Sequence, residues 1–422
     1  MDIQNFSALF NTPARREAFL KLIKDNKTKH IFIQGLEGSS IALFFSNLLE
    51  HKQAHIIIAN DLDEAGYLYN DLVQINGNDH ILLFPSGYKR DIKYGQPDPP
   101  SEILRTEVLN RLCQKGESLL IVTYPEAIAE KVVPVNMLSE QTLHIDKNSK
   151  CDIITLSDKL RERGFEEVDY VYEPGQFAVR GSILDVFSYT NELPYRIDFF
   201  GKEVESIRTF EVETQLSTGK LEEVYIVANV CGQEASGISI LDFIDKNTIL
   251  ICHNLSWVID RISTIASESL SEQTLIAEEG DRYAMQKIID VTAFQKKITT
   301  FRRIDYGTSS EANAPAVIRF NCTPQGVYHK NFDLVSQSFS QFIEKGYTLY
   351  ILSDSEKQIE RLQAIFEERG DSISFTPVLK TLHEGFVDND LKIGCFTDHQ
   401  IFDRFHNCLL YTSPSPRDPK TS

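Results

Sequence analysis

Apolar and polar positions alternate most sharply across residues 170–217. In 176–187, Phe177, Val179, Ile183 and Phe187 fall on one parity, and Arg180, Ser182 and Leu184 on the other. Residues 194–200 are aromatic and β-branched, and 203–210 resume the alternation. A period of two predicts half-buried strands. Gly201-Lys202, a two-residue link with glycine first, suits a type II′ hairpin, and Pro174-Gly175 marks an earlier turn. The expectation is a compact antiparallel meander. Arg180, Asp185, Arg196 and Asp198 lie on its strands, either as cross-strand ion pairs on a solvated face or as a recognition surface. Arg196, Asp198 and Phe200 share a parity and so project from one face.

Elsewhere the pattern is different. Residues 1–128 alternate short apolar runs (30–34, 55–59, 80–84, 119–122) with helical patterns at 15–24, 39–49 and 62–73, which predicts a parallel sheet covered on both faces. Prolines and glycines break up 84–100, after which Ser101 is expected to cap a helix through Leu112. Residues 129–210 hold the meander and a helix at 157–163 that ends at Gly164. Residues 211–318 read as mixed, with strands at 223–227 and 248–252, a helix at 279–291 and a small, polar linker at 308–315. Residues 319–406 read as a small α/β unit with helices at 332–346 and 355–369. The last stretch, 407–422, is rich in proline, serine and threonine and is expected to be disordered.

The chain's net charge of −18 argues against tight, non-specific binding to nucleic acid, which needs Lys and Arg against phosphate. Its 422 residues contain no apolar run of the roughly 18 residues that cross a bilayer. The 7 cysteines are scattered without a CxxC pair, as expected of reduced thiols rather than a disulfide frame or zinc site. A cytoplasmic protein is expected.

Candidate chemistry is sparse. The loop Gly35-Leu36-Glu37-Gly38-Ser39-Ser40-Ile41-Ala42 stands where a P-loop belongs, after a strand and at the start of a helix. Ile41 and Ala42 occupy the positions that need a lysine for phosphate and a hydroxyl for Mg²⁺, and Glu37 adds negative charge. Gly35, Gly38, Ile41 and Ala42 therefore mark a degenerate nucleotide site that is not expected to bind. His399, in Thr-Asp-His-Gln, resembles a helicase box, but without a working P-loop a structural role is expected. Asn60, Asp61 and Asp63 are expected to cap a helix rather than hold a cation. No catalytic residue and no metal site is expected.

Three segments carry a resemblance. Phe-Ala-Val-Arg-Gly-Ser-Ile-Leu-Asp-Val-Phe (177–187), Pro-Tyr-Arg-Ile-Asp-Phe-Phe-Gly (194–201) and Glu-Val-Glu-Ser-Ile-Arg (203–208) resemble the UvrA-binding domain shared by bacterial transcription-repair coupling factors and UvrB. The rest of the chain resembles the N-terminal part of the coupling factors. The resemblance implies an α/β fold in which a UvrB-like degenerate P-loop domain (1–128, completed by 211–318) is interrupted by the β-rich recognition domain. It implies docking of UvrA through Arg180, Arg196 and Phe200, with Phe187 a weaker choice for which a core role is preferred. Tyr88 and Tyr94 are the only aromatics where UvrB has its DNA-clamping hairpin, so that device is expected to be missing. ATP and Mg²⁺ would serve only the motor of full-length members, and RNA polymerase and DNA would bind only through domains not found here. A truncated reading frame with a foreign tail is expected, the alternative being a short paralogue with a disordered tail. The other functional class is an ATP-dependent DNA translocase or helicase-type DNA-binding protein.

Overall fold

The computed structural model describes residues 1–25, 27–87, 98–114, 116–147, 149–191, 193–229, 237–273, 288–308 and 316–404. Seven parallel strands form one sheet, in the spatial order Ala316–Arg319, His30–Gln34, Arg302–Gly307, Ile249–Cys252, Ala54–Ile58, Leu119–Thr123, Ile81–Leu83. Leu119–Thr123 and Ile249–Cys252 are buried at every residue, as expected of central strands in a sheet covered on both faces. Two strands from late in the chain, Ile249–Cys252 and Arg302–Gly307, occupy the centre between His30–Gln34 and Ala54–Ile58. The sheet is therefore incomplete without residues on both sides of the β-rich segment.

Local signals account for most helix ends. Asp61 caps Leu62–Asn76 by accepting the Glu64 N–H at 2.9 Å, and the Glu64 carboxylate accepts the Asn60 N–H at 2.8 Å, a reciprocal cap. The cap of Pro99–Cys113 is Asp98 rather than Ser101, whose hydroxyl donates to the Asp98 carboxylate at 2.6 Å. Pro99 and Pro100 suit the first turn because its N–H groups have no helical partner. The expected helix at 157–163 starts earlier, as Ile153–Glu162, because Asp152 accepts the Ile154 N–H at 3.1 Å. Of the helix expected at 279–291, residues 279–287 lie outside the described residues, and a helix Val291–Ile298 begins after its cap, Asp290. Tyr88, Tyr94, residues 309–315 of the expected linker and the tail 407–422 also lie outside them. A helix that the sequence reading did not anticipate, Ile3–Phe10, buries Ile3, Phe6 and Phe10.

The β-rich unit is a six-stranded sheet in the order Ser217–Leu221, Glu203–Phe210, Tyr195–Phe200, Ile183–Val186, Gln176–Arg180, Glu166–Glu167. Its own core joins Phe177, Leu184, Ile197, Phe199 and Ile207 to Leu156 and Leu160 of the helix. Ser217–Leu221 and Glu223–Val227 lie beyond residue 210 yet belong here. The first is the edge strand, and the second pairs antiparallel with Thr142–Asp146 and adds Val224 and Ile226 to the core.

A five-stranded mixed sheet follows, in the order Cys322–Pro324, Phe386–Asp388, Ile393–Thr397, Thr348–Leu352, Thr376–Val378, with helices Phe332–Glu344 and Glu356–Glu368. It shares a core with the first sheet. Phe10 meets Phe386 edge-on at 5.4 Å, Phe44 meets Phe320 at 4.8 Å, and Arg15 pairs with the buried Asp388 at 2.5 Å. No helix among the described residues is long and apolar enough to cross a membrane.

Candidate protein-docking site

The outer face of the six-stranded sheet is set by a turn concealed in an apparently continuous alternation. Residues 176–187 are two strands joined at Gly181-Ser182, with Arg180 paired to Ile183 and Gly181 at φ +64°. The two-residue turn reverses the parity expected for the second half. Phe177 and Leu184 face the core, whereas Arg180, Ile183, Asp185 and Phe187 share the outer face. The second turn matches expectation: Phe200 pairs with Glu203 across Gly201-Lys202, and Gly201 carries the positive φ of +64°.

Across the outer face the cross-strand register places Ala178, Asp185, Arg196, Arg208 and Lys220 in one row, and Arg180, Ile183, Asp198 and Ser206 in the next. Arg196 and Arg208 lie directly opposite each other, an arrangement that repels unless carboxylates intervene. Two do. Asp185, only 1% exposed, takes Arg196 bidentately (Nε to Oδ1 2.7 Å, Nη2 to Oδ2 2.9 Å) and also accepts Arg180 Nη2. Asp198 accepts Arg208 Nη2 and the Ser206 hydroxyl, the latter at 2.5 Å.

The sequence-predicted residues separate by exposure. Arg196 is the most enclosed of the cations: its Nη1 donates to the Gln215 carbonyl at 3.0 Å and its guanidinium lies 4.3 Å from the Phe210 ring centre. Asp185 raises its proton affinity above the usual arginine value, chiefly through their hydrogen bonds. Arg180 keeps 36% of its side-chain surface and stacks over Tyr170 at 4.9 Å. Phe200, at the hairpin end, is 77% exposed. Phe187 is buried in a satellite core with Val171, Ala178 and Phe210, so it offers a partner no surface. Two apolar groups that the sequence reading left out of the site are also exposed, Tyr170 and Leu216. Leu216 follows Gln215, whose backbone Arg196 holds at φ +58°.

The degenerate P-loop is arranged in the opposite way: its cradle is filled. The Ser39 N–H donates to the Glu384 carbonyl at 3.1 Å, and the Glu384 N–H donates back to the Ser39 hydroxyl at 2.9 Å. Ser39 Oγ in turn donates to Asp71 at 2.5 Å, and Asp71 accepts the His383 N–H at 2.7 Å. The His383 ring stacks flat on Tyr67, with centroids 3.5 Å apart. At Gly35 a Cβ would strike the Phe320 carbonyl, and at Gly38 it would lie 2.9 Å from that of Gly385. The Thr-Asp-His-Gln segment closes the other side. His399 Nε2 lies 2.8 Å from the His383 carbonyl, and Gln400 Oε1 accepts the Gly385 N–H at 2.8 Å. Ile41 packs against the apolar core and Ala42 lies inside it. Burial, with Glu37 and Glu64 nearby, raises the pKa of Glu384, and burial pushes that of Asp71 up to about 7.

The family match falls on the same unit, and the similar proteins extend over most of the chain. Residues 143–230 match the UvrB interaction domain. Over 445 aligned residues the chain is 21% identical to the transcription-repair-coupling factor of Staphylococcus aureus strain MRSA252, covering 88% of this chain and 38% of that protein. Against the transcription-repair-coupling factor of Staphylococcus epidermidis strain RP62A it is 20% identical over 422 residues, covering 84% of this chain and 35% of the relative. The chain thus matches an N-terminal portion of a transcription-repair-coupling factor and spans about 38% of the length of the curated relatives.

Proposed function

We propose that the chain serves transcription-coupled DNA repair as a recruitment module, docking UvrA on the outer face of its β-rich sheet, and that its remnant nucleotide site binds no ATP. The observation that carries the docking reading is the array of Arg180, Asp185 and Arg196 beside the exposed Phe200, all inside the matched 143–230 unit. An arginine and an aromatic on a rigid strand pair are the residue types that dominate interface energetics. The filled cradle supports the second half: Ser39, Asp71 and Glu384 use their polar groups on one another, and Glu37, Glu64 and Glu384 would repel a triphosphate. In this reading RNA polymerase and DNA are engaged by parts of the longer relatives outside the aligned length. Calorimetry of the chain against UvrA, with Phe200→Ala as control, tests it. Saturable binding weakened by the substitution is expected, and a folded chain that gives no heat with UvrA would overturn the reading.

A further inference from the structure

The arginines of the docking face do not hold themselves in place. Asp185 lies beneath them at 1% exposure, in the middle of the sheet, one row from Arg180 and directly opposite Arg196. A carboxylate so enclosed costs free energy unless its oxygens are saturated with donors, and here Arg180 and Arg196 supply them. Each arginine is held on a second side by an aromatic ring, Tyr170 for Arg180 and Phe210 for Arg196. Arg196 also fastens the Gln215 backbone, which fixes where the exposed Leu216 begins.

We infer that Asp185 is the positioning residue of the docking site. It touches no partner itself; it sets the direction of Arg180, and through Arg196 it sets the loop that carries Leu216. This role rests on the docking reading above. Arg180 is the presented group of the pair, while Arg196 has donors on both Asp185 oxygens and on Gln215. An arginine held in one orientation loses less freedom when a partner binds, so the carboxylate contributes to affinity without being in contact.

The experiment is a double-mutant cycle on the full chain, read as UvrA affinity by calorimetry: wild type, Asp185→Asn, Arg180→Ala and the double variant. Asp185→Asn keeps the shape and one acceptor while removing the charge. It should weaken binding by about tenfold, and in the Arg180→Ala background it should cost clearly less than that, because the share of its effect that runs through Arg180 is already gone while the share through Arg196 remains. A generally loosened sheet would instead multiply the two losses, which overturns the role, as does wild-type affinity in Asp185→Asn. If the wild type fails to bind UvrA, the docking reading falls and the positioning role falls with it; the other two outcomes remove the role alone. Should Asp185→Asn not fold, arginine side-chain NMR of the wild-type chain decides. A resolved, slowly exchanging Arg180 Nη2–H supports the role, and one averaged with the solvent-exposed arginines overturns it.

Discussion

The candidate docking face and the remnant cradle are both polar motifs mounted on a parallel or antiparallel sheet, yet their polar groups end in opposite places. On the candidate docking face two carboxylates, Asp185 buried and Asp198 half-buried, pair with Arg180, Arg196 and Arg208, and Arg180 and Phe200 keep exposed surface. In the cradle, Ser39, Asp71, His383 and Glu384 bond to one another across two units. The difference teaches that the destination of a motif's donors, more than its residue types, decides whether it can act on anything outside the chain.

The largest expected effect separates two phenylalanines. Phe187→Ala empties a satellite core and should lower unfolding free energy by about 3 kcal/mol in a denaturant titration. Phe200→Ala, with its ring in solvent, should leave the midpoint in place. A Phe187→Ala protein as stable as wild type would break the contrast between buried and presented aromatics.

Next come the binding losses. Phe200→Ala and Arg180→Ala should each weaken UvrA binding by about 2 kcal/mol, seen as a higher Kd in calorimetry. Unchanged affinity in both would move the docking site elsewhere on the unit.

A third effect, read as a dependence on pH rather than as a single loss, concerns Asp71. Its folded pKa, about 7, lies above the ordinary 3.8, so the folded state binds the proton more tightly than the unfolded chain. The stability this contributes is complete below the ordinary value and is lost as pH rises through about 7. His55 works in the other direction: burial lowers its pKa from 6.5 to about 3, so stability falls as pH drops through that interval. Asp71→Asn should therefore gain thermal stability relative to wild type between pH 4 and pH 8, tracked as the difference in Tm, while the acid-side loss from His55 persists. A constant difference across that range would mean that Asp71 does not titrate in the folded protein.

The smallest effect expected is none. Installing the missing phosphate ligands, Ile41→Lys with Ala42→Ser, should still give no binding of an ATP analogue, because residues 383–385 occupy the space. Binding by this variant would show that the absent lysine, rather than the filled cradle, excludes nucleotide.

Much of this arrangement was legible in the sequence because it rests on local chemistry. The Gly201-Lys202 turn, the buried parallel strands and the loss of lysine at position 41 each depend on a few adjacent residues. The turn at Gly181-Ser182 carries the same glycine-first signal as Gly201-Lys202, but the apolar–polar alternation runs on through it, and reading 176–187 as one strand inverted the expected face of Ile183 and Leu184. Nor could any local pattern bring His383 and Glu384 to Ser39, over 300 residues earlier in the chain. Asp185 was visible as a charge on a strand, but its burial between two arginines required the register of three strands.

The β-rich unit enters and leaves the molecule side by side: Thr142–Asp146 and Glu223–Val227 are antiparallel neighbours, with Leu143 opposite Ile226. An insertion whose ends already meet asks its host to close almost no loop, so the host need only supply a doorway as wide as one strand pair.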